Sequence, residues 1–163
     1  MRRLIALMLA GLVALAAAGC GDDLPDLGSP DDGSVGGADV TPPCPFTAEQ
    51  VSGFVGLTMA KDAECSFRAD NGYSLVTILP ASRVAGLATY EFARKMAGET
   101  YGTVKDAGRG EQSYLAYENI GGELTVIGTT TSYTITLSGL PALEQNPAGY
   151  EPLLLRMFDA IPA

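Results

Sequence analysis

The strongest strand signal in this chain is Ser132-Tyr133-Thr134-Ile135-Thr136-Leu137-Ser138, in which hydroxyl-bearing and apolar side chains alternate without interruption. Successive side chains of a β-strand point to opposite faces of the sheet. We therefore predict that Tyr133, Ile135 and Leu137 point into a core, while the serines and threonines point outward. A sheet with one buried face and one solvent-exposed face is typically antiparallel, so this stretch predicts an antiparallel sheet.

Five more strands are predicted ahead of it in the chain. Short runs of apolar and β-branched residues, bounded by turn residues, indicate strands. Asp70-Asn71-Gly72 is a strong signal for a hairpin turn between two of them. The five predicted strands are residues 57–61, 64–69, 73–79, 113–118 and 123–129.

The first and last predicted helices are short. Residues 47–50, Thr-Ala-Glu-Gln, have the form of a capping box, and Gly56 is placed to end the helix that this box opens. The closing helix would carry Leu154, Phe158 and Ile161 on one face, with two prolines leaving its start undefined.

A longer helix is predicted over residues 85–97. Ala88, Phe92 and Met96 recur at a spacing of four, which indicates one apolar face, and Gly98 is placed to end the helix. The predicted order is then α-βββ-α-βββ-α. Strands in runs, with helices segregated to one face of the sheet, define an α+β fold.

A short recurrence suggests that the αβββ unit is duplicated. Four residues of the first half return 42 positions later, in the same order. The matched residues are Thr47, Glu49, Gly56 and Thr58 with Thr89, Glu91, Gly98 and Thr100.

The beginning of the chain resembles an export signal. Arg2 and Arg3 precede an apolar run over residues 4–18, and small residues lead to Cys20. A basic start, an apolar centre and small residues before the cut are typical of a secretory signal. The ending Ala17-Ala18-Gly19-Cys20 resembles the lipobox of bacterial lipoproteins, which implies that the Cys20 thiol is acylated and that residues 1–19 are removed.

Two other interpretations of this segment stay open. A membrane-spanning helix needs about 20 apolar residues, whereas residues 4–19 supply 16. Ordinary secretory cleavage after Ala18 would leave a free thiol at Cys20. We favour lipidation, because it explains why a cysteine stands at this junction, and we expect an extracytoplasmic protein held to the cell membrane by acyl chains.

Composition divides the remaining chain into two parts. Residues 20–43 are predicted to be a lipidated cysteine followed by a flexible acidic tether, and residues 44–163 are predicted to be a single domain. The tether is rich in Asp, Gly and Pro and has too few apolar residues to fold. Without Arg2 and Arg3 the chain keeps eight basic and 19 acidic residues, a net charge of −11. Such a charge argues against nucleic-acid binding and against electrostatic attachment to anionic lipid.

The two remaining cysteines, Cys44 and Cys65, form an even pair in an exported chain. Such a pair predicts a disulfide, which would contribute about 3 kcal/mol by closing a loop of roughly 20 residues. No C-x-x-C spacing or further ligand favours a redox or metal role instead.

Three segments of the domain resemble a family of small actinobacterial envelope lipoproteins that share a domain of unknown function. They are residues 43–50 with Cys44, residues 64–67 with Cys65, and Gly108-Arg109-Gly110-Glu111-Gln112-Ser113-Tyr114. The similarity covers nearly all of residues 44–163, together with the lipobox and tether. It implies that Cys44 and Cys65 pair, and it supplies no catalytic residue.

The chain contains no histidine, which excludes Ser-His-Asp and Cys-His sites. Residues 108–113 look like a dinucleotide loop but lack the third glycine and precede a strand, so we predict a turn there. Glu111, Glu118 and Glu123 are the remote candidates for a carboxylate pair in a hydrolase. We predict no enzyme, no cofactor and no metal.

Binding is the favoured activity. Tyr101, Tyr114, Tyr117 and Tyr133 could form a sheet face that holds a glycan, an acyl chain or a protein. The preferred alternative places these rings in the core with their hydroxyls wet. The sequence therefore predicts a non-catalytic binding module of the cell envelope, with a carrier of a lipid or other apolar ligand as the alternative.

Overall fold

The structure is a computed structural model that describes residues 41–162. The predicted signal, Cys20 and nearly all of the tether therefore lie outside the described residues. The predicted order of elements is found with two additions, a three-residue strand and a four-residue helix. The elements are α1 (Ala48–Val55), β1 (Met59–Ala63), β2 (Ser66–Ala69), β3 (Leu75–Ser82), α2 (Arg83–Thr100), β4 (Thr103–Lys105), β5 (Gln112–Glu118), β6 (Gly121–Ile127), β7 (Thr131–Ser138), α3 (Pro141–Glu144), a 3-10 turn (Pro147–Gly149) and α4 (Tyr150–Asp159).

The strands form one antiparallel sheet in the order β1-β2-β3-β7-β6-β5-β4. Its central pair is β3 with β7, matched over eight residues from Leu75 opposite Ser138 to Ser82 opposite Thr131. The predicted α+β class is confirmed, with seven strands in the described part of the chain where about six were expected.

The predicted ends of the first helix and the predicted β2–β3 turn are confirmed by their hydrogen bonds. The Thr47 hydroxyl accepts from the Gln50 backbone N–H, and the Gln50 side chain accepts from the Thr47 N–H, as a capping box requires. Gly56 ends α1 at φ 72°, a left-handed conformation that glycine adopts at least cost. In the β2–β3 turn, Asn71 Oδ1 accepts from the backbone N–H groups of Tyr73 and Ser74.

The larger core lies on the first face of the sheet, beneath α1 and α4. Tyr133, Ile135 and Leu137 point to this face, as the alternation in β7 predicted. The close approach of α4 depends on Gly122, because a β-carbon there would come within 3.0 Å of Tyr150 Cβ. A row of four fully buried side chains crosses the central strands of this face: Ile78, Ile135, Leu124 and Leu115.

Helix α2 packs on the second face, so the prediction that all helices lie on one face is wrong. Tyr90 of α2 is buried and meets the ring of Tyr114, with 5.6 Å between ring centroids. Ala97 completes a second core with Ala116 and Ile127 of the sheet. Strand β5 is apolar on both sides from Tyr114 to Tyr117, which is the pattern of a strand covered on two faces.

The predicted apolar face of the long helix points to solvent. Phe92 is 69% exposed, and Ala88 and Met96 are also exposed. Helix α2 buries Gly86, Tyr90 and Ala97 instead, which lie on the opposite side of the helix. It also continues through Gly98 to Thr100.

The suggested duplication is not supported by the topology. Strands β3 and β7 are antiparallel neighbours, so equivalent halves would be related by a two-fold axis normal to the sheet. Such an axis keeps each helix on its own side of the sheet. Helices α1 and α2 lie on opposite faces, so the two halves do not repeat one another.

The turn predicted at residues 108–113 is found over residues 108–111 only, because Gln112 and Ser113 already belong to β5. Gly108 and Gly110 adopt φ values of 64° and 58°. The Glu111 backbone N–H donates to the Ile127 carbonyl at 2.7 Å, and Arg109 forms an ion pair with Asp159 of α4. The segment therefore joins the sheet to α4.

Gly86 sets how closely α2 approaches the sheet, and its replacement gives a stability prediction. A β-carbon at Gly86 would overlap Ser132 Oγ and lie 2.6 Å from Ser132 Cβ. The Ser132 hydroxyl donates to the Ser82 carbonyl, so it is not free to move aside. We expect Gly86→Ala to destabilise the protein by about 1–3 kcal/mol, measured by urea denaturation.

Gly53 in α1 is the matched control for this substitution. None of residues 41–162 comes within 4 Å of a β-carbon at this position. Gly53→Ala should therefore leave packing unchanged and stabilise α1 by up to about 1 kcal/mol. Equal effects at the two glycines would contradict the close approach of α2 to the sheet.

Candidate functional site

Helix α2 crosses the second face diagonally and leaves part of that face uncovered. The helix starts above β7, in the middle of the sheet, where Gly86 meets Ser132. It finishes beside the edge strand β4, where Gly98 meets Val104. The uncovered part belongs to β2, β3, β7 and β6. We call it the open face, and its residues are Ser66, Thr77, Leu79, Glu123, Thr134 and Thr136.

Strand register places polar side chains of the open face in a straight row. Ser66 lies opposite Thr77, Thr77 opposite Thr136, and Thr136 opposite Glu123. Neighbouring strands are about 4.8 Å apart, so this polar row is about 14 Å long. We refer to these four residues as the polar row.

Hydrogen bonds join members of the polar row to one another. The hydroxyls of Ser66 and Thr77 lie 3.5 Å apart, and the Thr136 hydroxyl donates to Glu123 Oε2 at 3.4 Å. A second pair, Thr125 and Thr134, is hydrogen-bonded at 2.9 Å beside the row. Each hydroxyl keeps a free lone pair or donor position, so the row can accept and donate hydrogen bonds to a ligand.

Glu123 stands at the inner end of the polar row and is half-buried. Its Oε1 accepts a hydrogen bond of 2.5 Å from the Tyr114 hydroxyl. Burial raises the pKa of Tyr114 well above its usual range, and the Glu123 carboxylate raises it further. Tyr101 is affected in the same way, since burial and then Glu123 raise its pKa. Both phenols therefore remain O–H donors at neutral pH, and the Tyr114 hydroxyl donates to Glu123.

A groove of about 750 Å³ lies next to the open face, at the disulfide. The predicted bond between Cys44 and Cys65 is present, with 5.4 Å between the Cα atoms. The groove shares Ser66, Thr77 and Leu79 with the open face. Its full lining is Thr41, Pro42, Pro43, Cys44, Ala63, Glu64, Cys65, Ser66, Thr77, Ile78, Leu79 and Pro80.

The groove exists because β2 starts opposite Thr77, so the second half of β3 has no neighbouring strand on that side. β2 pairs with β3 as far as Thr77, and the Ile78 N–H then donates to the Cys65 carbonyl. The next residue of β3 whose backbone faces the β2 side is Pro80, which has no N–H to donate to a neighbouring strand. The disulfide holds residues 41–44 across this gap as the opposite wall.

The structure brings two of the three candidate glutamates close to each other. Glu111 lies apart from them, just before β5, where it forms an ion pair with Arg83 at 2.8 Å. Glu118 and Glu123 point to the same side of the sheet and are diagonal neighbours on β5 and β6, because Ala116 pairs with Glu123 and Glu118 pairs with Gly121. Glu118 is exposed at the end of β5, whereas Glu123 is half-buried. Glu123 alone belongs to the open face.

The four tyrosines do not form one face. Tyr114 is fully buried on the second face, and Tyr101 packs beside it against the α2 core. Tyr117 and Tyr133 pack against the larger core on the first face. The interpretation of these rings as core residues is therefore the better one, and the exposed polar surface is made by threonines instead.

Comparison with known families, curated proteins and solved structures found no match for this chain. Within residues 41–162, none of the helices combines the length and the apolar character needed to span a membrane. In the same residues, no group of three thiol or carboxylate side chains is close enough to bind a metal ion together.

Proposed function

We propose that this protein is a lipid-anchored, extracytoplasmic binding module without catalytic activity. The observation that carries the proposal is the continuity of the open face with the disulfide groove, which share Ser66, Thr77 and Leu79. Ligand sites typically combine a recess of 300–1,000 Å³ with a few polar groups that orient the ligand. The groove provides the recess and the polar row provides the polar groups.

The sequence is the basis for proposing that acyl chains anchor the protein to the membrane. Cys20 would carry the acyl chains, and the acidic tether of residues 20–43 would reach roughly 25–30 Å as a flexible chain. The resemblance to envelope lipoproteins supports the same arrangement. The proposed ligand is then a component of the cell envelope, either a protein, a glycan or a lipid.

A second candidate function is the carriage of a lipid or another apolar molecule, and the groove favours it. Pro42, Pro43, Leu79 and Pro80 give this groove a mainly apolar lining. Mass spectrometry of lipids that co-purify with the full chain would test the carrier. Stoichiometric lipid that is lost when Ala63→Arg fills the groove would support it; lipid retained by that variant would count against the groove.

Photo-crosslinking tests the proposed binding surface. A benzophenone side chain in place of Leu79 should give a discrete adduct in intact cells, because Leu79 is 59% exposed and lies where the open face meets the groove. The control position is Tyr73, which is 65% exposed in the β2–β3 turn. The adduct at position 79 should disappear when Thr134→Arg obstructs the open face.

The outcomes of this experiment are separable. Adducts of equal yield at positions 73 and 79 would mean collision with abundant neighbours, and the proposal would fail. Adducts at position 79 that survive Thr134→Arg would place binding in the groove alone. No adduct at position 79 would remove the open face as the binding surface.

A further inference from the structure

We infer that Glu123 is the charged centre of a subsite for an aliphatic primary ammonium group, of the kind that a lysine side chain carries. This inference rests on the proposed function, since it names the chemistry of the ligand at the open face. Four features support an ammonium ligand: the missing counter-charge, the free acceptor positions, the shape beside the carboxylate and the charge of the whole chain.

Glu123 has no cationic partner in the described part of the chain. Four ion pairs are formed by residues 41–162, and their carboxylates are Asp62, Glu111, Glu151 and Asp159. Glu123 is instead held by two neutral hydroxyls, those of Tyr114 and Thr136. Hydrogen bonds from neutral groups orient a carboxylate but supply no counter-charge. The position of the missing counter-charge is therefore open to a cationic group of a ligand.

The free acceptor positions suit an ammonium group. Each carboxylate oxygen accepts about two hydrogen bonds, and Tyr114 and Thr136 use one on each oxygen. An ammonium group has three donors and no acceptor. One donor can go to Glu123, and the hydroxyl oxygens of Thr134 and Thr136 are placed on the same face to accept the others.

The surface next to Glu123 matches an aliphatic stem. Leu79 of β3 lies opposite Thr134 of β7, and more than half of the Leu79 side chain is exposed. The distance from β6 to β3 is two strand spacings, about 10 Å. An extended lysine side chain lying across β7 could therefore reach Glu123 with its ammonium group and contact Leu79 with its methylenes.

The charge of the chain favours a cation as well. The formal net charge is −9, so the field of the protein attracts cations to its surface. This general attraction does not select a site. Glu123 does so, because it combines a fixed position, partial burial and neighbouring hydroxyl acceptors.

Nuclear magnetic resonance of threonine methyl groups tests the inference. The full chain, purified in detergent micelles and labelled at threonine methyls, is titrated at constant ionic strength with Nα-acetyl-lysine methylamide. We expect saturable shifts of the Thr134 and Thr136 methyls. The same compound acetylated on Nε keeps the stem but loses the charge, and it should shift neither methyl.

Glu123→Gln is the decisive variant, with Glu49→Gln as its matched control, because Glu49 is exposed on α1, on the other side of the sheet. Glutamine at position 123 retains an oxygen that accepts from the Tyr114 hydroxyl, so we expect both variants to fold. Affinity for the lysine compound should fall at least about tenfold in Glu123→Gln and stay unchanged in Glu49→Gln. If Glu123→Gln proves unfolded, the comparison of the two lysine compounds on the unmodified chain still tests whether the ligand must carry an ammonium group.

Three results would overturn the inference. They are equal binding of the Nε-acetylated compound, equal loss of affinity in both variants, and methyl shifts produced by a neutral oligosaccharide but not by the amine. Its failure is distinct from failure of the proposed function. A specific adduct at position 79 without any response to the amine would leave the binding module in place and remove only the ammonium ligand.

Discussion

Cys20→Ser is expected to transfer the protein completely from the membrane fraction to the soluble fraction. Each buried methylene of an acyl chain contributes about 0.8 kcal/mol to membrane binding, so two or more chains hold a protein firmly. Serine cannot form the thioether that carries the diacylglycerol. A chain with net charge −11 after removal of residues 1–19 would then gain nothing from anionic lipid.

The measurement is fractionation of cells after an alkaline wash, combined with the intact mass of the protein. The control is the double variant Cys44→Ser/Cys65→Ser, which loses the other thiols and should remain with the membrane. A Cys20→Ser protein that has lost residues 1–19 by mass and still stays bound through washing would contradict lipid anchoring. An unprocessed, unmodified mass for the unaltered protein would contradict it too.

Removing the disulfide is expected to lower the free energy of unfolding by about 3 kcal/mol. Cys44 and Cys65 are 21 positions apart, and the bond closes the loop that contains α1 and β1. Much of this contribution comes from the unfolded chain, which loses conformational freedom when it is cross-linked. For a domain of this size the loss corresponds to a decrease in Tm of roughly 10 °C.

Thermal melts of Cys44→Ala/Cys65→Ala against the oxidised protein measure this decrease. Reduction of the unaltered protein should reproduce most of it, which separates the bond from the effect of the alanine side chains. Similar melts for all three samples would show that the cross-link adds no stability. Loss of the Leu79 adduct in the double variant would further indicate that the groove wall at residues 41–44 takes part in binding.

The parts of the fold that were predictable are those set by neighbouring residues. The alternation in β7 located its inward side chains, the capping box and Gly56 bounded α1, and Asn71 marked the β2–β3 turn. Strand β4 was missed, because three residues are too few to show an alternation. Helix α3, four residues opened by a proline, was missed for the same reason.

The orientation of α2 could not be obtained from periodicity alone. Ala88, Phe92 and Met96 form a regular apolar stripe, yet the sheet contacts Gly86, Tyr90 and Ala97. A helix lying flat on a sheet needs small residues at the closest approach, and Gly86 over Ser132 provides it. The continuous apolar run from Tyr114 to Tyr117 was the sequence signal that the second face is also covered.

The candidate site was predictable only in part. The outward threonines of β7 were expected to be wet, and Thr134 and Thr136 are indeed half-exposed, whereas Ser132 is buried by α2. The bond between Glu123 and Tyr114 depends on the register of β5 with β6. Register follows from the pairing of whole strands, so no local pattern around Glu123 could reveal its partners.

The position of the Cys44–Cys65 bond has a mechanical consequence. Tension applied at the N-terminal end, as a tethered protein with a bound partner would feel, reaches Cys44 and crosses the disulfide directly into the chain entering β2. The intervening segment, with α1 and β1, is bypassed and carries no load. Under pulling, α1 would stay folded while the oxidised bond lasts, and reduction would make it the first element to unravel.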